Sequence, residues 1–175
     1  EWKQVKLNEI TTELFAGGDA PKNALSEIKT EKYSIPIYSN GLEDKALYGW
    51  TNRSRVNEDA VTISARGTIG YPTLRKAPFL PIVRLIVAVP NIKQVLPKYL
   101  ELALGSKPIT GNGNSIQQLT VPMIKETKIS LPSIEIQRQI VDKIEEEKTI
   151  IDPLKKLIEL YQEKINQKIE EVWGE

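Results

Sequence analysis

Cysteine and histidine are both missing from this 175-residue chain. Without cysteine there is no disulfide, no thiolate nucleophile and no thiolate metal site; without histidine the commonest general base and metal ligand is gone. Most familiar catalytic constellations are thereby excluded, and neither a metal site nor a catalytic centre is expected. Although 40% of the residues are hydrophobic, no run approaches the roughly 20 apolar residues that a membrane helix needs. The opening Glu1-Trp2-Lys3-Gln4 has no apolar stretch of the secretion-signal kind, so a cytoplasmic location away from membranes is expected. A first residue other than Met suits a processed chain or a piece of a longer one.

A surplus of one charge is also lacking, since 24 basic against 23 acidic residues leave a net +1. The balance is uneven along the chain. Residues 1–131 carry 17 Lys and Arg against 12 Asp and Glu, a balance of +5, whereas residues 132–175 carry 7 against 11, a balance of −4. Such asymmetry points to a basic face on the first part and a different task for the second; chance partition of solvated surface charge is the plain alternative.

Residues 1–131 are punctuated by Gly, Pro and Asn with short apolar runs between them, which reads as mixed α/β with many loops. Val5-Lys6-Leu7, Ile35-Pro36-Ile37-Tyr38, Ala60-Val61-Thr62-Ile63-Ser64 and the run from Val83 to Val89 have strand length and β-branched content. Leu7 to Leu14 has helical spacing before Gly17-Gly18, and Pro97 to Leu104 opens with a first-turn proline and stops at Gly105.

From Pro132 glycine vanishes until Gly174 and the rhythm becomes helical. Ile144, Ile151, Ile158, Ile165 and Val172 recur every seven residues, with Ile140, Leu154 and Tyr161 at the companion position, so residues 132–175 predict a long helix of coiled-coil type whose seam needs a partner. Glu147 and Lys168 interrupt the seam, and Pro153 predicts a kink or a restart capped by Asp152. About 40 helical residues would run about 60 Å, longer than a small domain is wide, so self-association or a second subunit is expected.

Three segments carry groups suited to nucleic acid. In Ala65-Arg66-Gly67-Thr68-Ile69-Gly70 a cation and two glycines sit on a tight turn after a strand, where backbone amides could meet a phosphate; an ordinary β-turn explains the same residues. The loop Gly111 to Leu119 offers Asn112, Asn114, Gln117 and Gln118, amides able to pair with adenine edges, and Ser115 as a helix cap, or is simply a polar turn. Ser39, Asn40, Arg53, Arg55, Arg75 and Lys76 add polar and basic groups on or near the Gly-marked loops, where Tyr48 and Trp50 read as support more than as base contacts. Enzyme signatures fail: Asp152-Pro153-Leu154 stops one proline short of a methyltransferase motif, and Asp142, Glu146 and Lys148 lie on a solvent-type helix face.

Five motifs in order resemble the specificity subunit of type I restriction-modification systems. Trp2 to Ile10 is similar to the family's W-x-x-V-x-L-G-E-I start with Asn8 for its glycine. The Gly-rich opening Gly17-Gly18-Asp19-Ala20-Pro21 with the Ile35-Pro36-Ile37-Tyr38 stretch after it forms the second; Thr62 to Gly70 resembles I-S-x-R-G-T-I-G; the Gly113-Asn114-Ser115 loop precedes Leu119; and Leu131 to Val141 resembles L-P-P-x-x-E-Q-x-x-I-V, with Ile136 for the usual Glu. The resemblance implies a mixed α/β target recognition domain over 1–131 followed by a conserved spacer helix. It further implies that two such units pair their helices antiparallel, each reading half of a bipartite site on double-stranded DNA. An adenine methyltransferase partner would bind S-adenosylmethionine, leaving this chain without a cofactor. A half-subunit that dimerises, a fragment of a two-domain subunit and the recognition part of a fused restriction-modification enzyme all fit. The rival readings are a helical-tailed protein-interaction module without DNA binding and a small phosphate-binding enzyme built on the turn from Arg66 to Gly70.

Overall fold

The computed structural model describes residues 2–106 and 118–174, with the backbone alone at Glu43 and Asp44. The chain divides into two compact units, Glu1–Gln137 and Arg138–Glu175.

The first unit is mixed α/β, with three small sheets. Strands β1 (Lys3–Lys6), β2 (Thr11–Ala16), β3 (Ile35–Tyr38), β4 (Leu47–Thr51), β5 (Ala60–Ile63), β6 (Pro72–Arg75), β7 (Leu80–Pro81), β8 (Ile86–Pro90) and β9 (Lys128–Leu131) are joined by helices α1 (Pro97–Gly105) and α2 (Val121–Ile124). The largest sheet runs β2-β8-β5-β6, a second runs β4-β3-β7, and β1 pairs with β9, bringing the two ends of the unit together. Strands β5 and β8, the two central strands of this sheet, are buried at every position on both faces, which fits their largely apolar sequences. Helix α1 lies against β5 and β6, and its Glu101 carboxylate accepts the Leu74 N–H of edge strand β6 at 2.7 Å.

Three sequence expectations change. The segment read as a helix from Leu7 to Leu14 is a single 3-10 turn, Leu7–Glu9, followed by β2. The β-branched pair Thr11-Thr12 and antiparallel pairing with β8 outweigh the helical spacing. The Gly-marked loop around Tyr48-Gly49-Trp50-Thr51 is mostly strand β4, paired with β3. The run read as a strand from Val83 begins only at Ile86, because Val83 and Arg84 adopt positive φ values of 53° and 64°.

Helix α3 runs unbroken from Ile134 to Trp173. Pro153 does not restart it, although a mid-helix proline costs about 3 kcal/mol. The helix is rooted in the first unit by Gln137, a fully buried polar side chain. Its Oε1 accepts the Leu96 N–H at 2.8 Å, while Nε2 donates to the carbonyls of Gln94 and Pro132, both at 2.9 Å. Leu96 caps α1 without a side-chain bond of its own, so one amide closes three backbone groups that folding takes from water. In the second unit every described residue from Glu145 onward is exposed. Ile151, Leu154, Ile158, Tyr161, Ile165 and Val172 are among these exposed residues, whereas Ile140 and Ile144 are half-buried.

Candidate nucleic-acid interface

The turn after β5 is held from both sides. The Ala65 N–H donates to Asn40 Oδ1 at 2.7 Å, and the Ala65 carbonyl accepts the Leu119 N–H at 2.8 Å. Ser64 Oγ donates to the Arg66 carbonyl at 3.1 Å, and Gly70 N–H returns to the Ser64 carbonyl at 2.8 Å. Gly67 has φ +70°, and a Cβ there would meet nothing; conformation, not crowding, calls for glycine at this point. Arg66, Gly67 and Thr68 are exposed on this fixed turn.

Arg66 is aimed by a second residue from the sequence reading. Its Nε and Nη2 donate to Gln118 Oε1 at 3.1 and 2.7 Å, which leaves Nη1 and one Nη2 hydrogen available to an outside acceptor. The other end of Asn40 reaches a second turn, where Nδ2 donates to the Val83 carbonyl at 2.7 Å. With its amide used at both ends, Asn40 acts as a strut between the two turns.

That second turn, Ile82 to Leu85, lies between β7 and β8 and is closed by the Leu85 N–H to the Ile82 carbonyl at 3.1 Å. Positive φ at both central residues makes it type I′, a conformation that favours Asn and Gly and that a β-branched Val resists by about 1–2 kcal/mol. The neighbouring Gly17-Gly18 segment holds it in place. Val83 N–H donates to the Gly18 carbonyl at 2.8 Å, Arg84 N–H to the Gly17 carbonyl at 3.2 Å, and Gly17 N–H to the Leu85 carbonyl at 2.8 Å. A Cβ on Gly17 would stand 2.6 Å from the Pro81 carbonyl carbon, so only glycine allows this approach. Three motifs distant in sequence thus meet: Gly17-Gly18, the loop after Tyr38, and Arg66 to Gly70.

The remaining sequence-derived candidates are dispersed. Ser39 neighbours the strut residue, and its N–H is taken by the Ala46 carbonyl. Arg53 is exposed. Arg55 lies over the Phe15 ring at 4.4 Å and pairs with Glu13 at 2.9 Å, beside a cavity of about 170 Å³ that also touches Asn57 and Glu58. Arg75 lies over the Tyr38 ring at 4.2 Å. Lys76 pairs with Asp59 at 2.6 Å, and that hydrogen bond, joined by one from the Ala77 N–H, holds the Asp59 carboxyl below its ordinary value against a smaller opposing effect of burial. Asn112, Asn114, Ser115 and Gln117 lie outside the described residues. Arg84, exposed on the second turn, and Gln137, buried at the start of α3, are not among the sequence-derived candidates. Nothing local marks Arg84, because Val-Arg is a poor type I′ pair, whereas Gln137 was visible only as a letter of the closing motif.

The chain thus presents a mixed α/β unit with basic groups on strut-held turns and a helix with an exposed apolar stripe. The model of the type I restriction modification DNA specificity domain matches residues 1–171, and the chain belongs to that family. A protein named as a type I specificity subunit in Mycoplasma pneumoniae is 36% identical over 154 residues, covering 88% of this chain and 43% of that protein. A second from the same organism is 31% identical over 188 residues, covering 97% and 49%. The chain therefore spans about half the length of the curated relatives it matches. Among solved structures, the type I restriction-modification S subunit of M. genitalium superposes with TM-score 0.68 at 16% identity, over 93% of this chain and 43% of that one. The HsdS subunit of Thermoanaerobacter tengcongensis gives 0.65 at 18%, over 89% and 39%. A chain from a type I restriction-modification assembly gives 0.73 at 19%, over 96% and 44%. At these identities the likeness is one of fold.

Proposed function

We propose that this chain recognises one half of a bipartite site on double-stranded DNA and, through α3, joins a second recognition unit so that an adenine methyltransferase partner is directed to the target. The observation that carries the reading is the Arg66 turn, locked by Asn40 and Leu119, with Gln118 aiming the guanidinium outward. A rigid arginine loses little freedom on binding, and its planar fork suits phosphate or a guanine edge. Thr68 and Arg53 add exposed polar and basic groups; Arg55, Arg75 and Lys76, already engaged within the unit, contribute less. The exposed stripe of α3 supports the pairing, because each of Ile151, Ile158 and Ile165 forgoes roughly 1.5–3 kcal/mol if left in water. The partner helix is that of a second copy of this chain or an equivalent one on another unit, and either satisfies the stripe.

The chain itself performs no chemistry in this reading, and S-adenosylmethionine is bound by the partner. Among the described residues no helix is long and apolar enough to cross a membrane. Titration of a mixed-sequence duplex with the full chain at several salt concentrations tests the reading. Log affinity should fall linearly with log salt at a slope of several units, one per phosphate engaged, and added S-adenosylmethionine should transfer no methyl group. Salt-independent binding, or methylation without a partner, overturns it.

A further inference from the structure

We propose that Arg84 is a DNA-contacting residue and that, together with Arg66, it grips the phosphate backbone of one duplex, the two being set in register by the Asn40 strut. The inference rests on the DNA-recognition reading above and adds to it a residue and a turn.

Several observations converge on it. The Asn40 amide bonds one residue before Arg66 and at the peptide that leads into Arg84, so both arginines stand on neighbouring turns tied by a single side chain. Both are exposed. Among the described residues the Arg84 guanidinium has no hydrogen-bond or ion-pair partner, whereas its backbone N–H is spent on Gly17. The turn offers an anion its side chain, not its amides. Val83 and Arg84 hold left-handed backbone that Gly or Asn would adopt more readily, and four hydrogen bonds from Gly17, Gly18, Asn40 and Ile82 keep them there. A strained turn that is so firmly held, and that puts a cation at its tip, fixes where that cation sits.

Phosphate is the acceptor this arrangement favours over a base edge. Arg84 has no side-chain buttress to set the plane of its guanidinium, and a phosphate tolerates many approach angles where a guanine edge demands one. The two arginines then position the duplex, and base discrimination belongs to other side chains.

The test uses the full chain and a randomised duplex pool. Arg84→Ala and Arg66→Ala should each weaken binding about tenfold, equally for all sequences, and each should lower the slope of log affinity against log salt by about one; the double variant should lower it by about two. Arg84→Gly separates contact from fold: glycine relieves the left-handed backbone, so thermal stability should hold or rise while binding falls as in Arg84→Ala. Arg84→Lys should retain the slope. An Arg84→Gly protein that binds like wild type overturns the inference while leaving the broader reading intact. A change of preferred base at one position overturns the phosphate assignment. Absence of salt-dependent binding in the wild-type chain would instead sink the reading on which the inference rests.

Discussion

The two units satisfy themselves differently. In the first, named side chains close backbone groups inside the unit: Gln137 alone closes three, Asn40 two, and Glu101 one at the edge of β6. In the second, the helix runs through Pro153, which has no N–H to give the Thr149 carbonyl, and a broad apolar stripe from Ile150 to Trp173 faces solvent. Among the described residues, then, the first unit buries its apolar groups in a core of its own, whereas the helix leaves its apolar stripe uncovered. Stability of the one lies in its own contacts, while that of the other awaits whatever covers it.

The largest effect should come from breaking this contrast at the helix. Ile151→Asp with Ile158→Asp places charges in the stripe, and because a symmetric pair buries each residue twice, association should weaken on the order of 6 kcal/mol, about four orders of magnitude. Sedimentation of the two proteins reads the change; the recognition unit should keep its melting transition. A wild-type chain that stays monomeric at high micromolar concentration argues against self-pairing and in favour of an equivalent helix on another unit.

Next in size is the root of the helix. Gln137→Ala strands the Leu96 N–H and the carbonyls of Gln94 and Pro132 away from water, for a loss of about 2–4 kcal/mol in chemical denaturation. Gln137→Leu, which fills the volume, should be no better, because the deficit is polar. Recovery with leucine would mean that packing, not hydrogen bonding, holds the junction.

How far the chain could be read from its letters depends on where each element takes its instructions. β3, β5 and α1 are written locally, in Ile35-Pro36-Ile37-Tyr38, in the β-branched run after Ala60, and between Pro97 and Gly105. The long helix is legible for the same reason: its period of seven runs through five positions, from Ile144 to Val172. β2 is set by its partner β8 against its own spacing, and β4 by β3. The turn at Val83-Arg84 is concealed inside an apolar run because neither residue advertises positive φ. The Arg66 turn was legible as a motif, but its geometry depends on Asn40 and Gln118, respectively 25 and 52 positions away in their bonds to it. Spacing along the chain carries no record of such contacts.

Smaller effects sharpen the comparison within the first unit. Val83→Asn places a residue that accepts left-handed backbone at the strained turn, and should raise stability by about 1 kcal/mol with no change in fold. A loss of stability there would mean that the valine side chain contributes contacts outweighing its strain.

The smallest effect is electrostatic. Asp59 has a depressed carboxyl pKa in the fold, so its contribution is present above the ordinary aspartate range and is lost as pH falls through and below it. Asp59→Asn should therefore cost less than about 1 kcal/mol at neutral pH, Lys76 being exposed and Asp59 only half-buried, and the difference from wild type should vanish in acid. A difference that grows on acidification would reverse the sign assigned to this pair.

Half-site recognition is tested most directly by what the full chain selects from a randomised duplex pool. Recognition of a half-site by each of two chains joined through antiparallel helices predicts recovery of one short motif repeated in inverted orientation at a fixed gap. A pool that emerges without any enriched motif contradicts it.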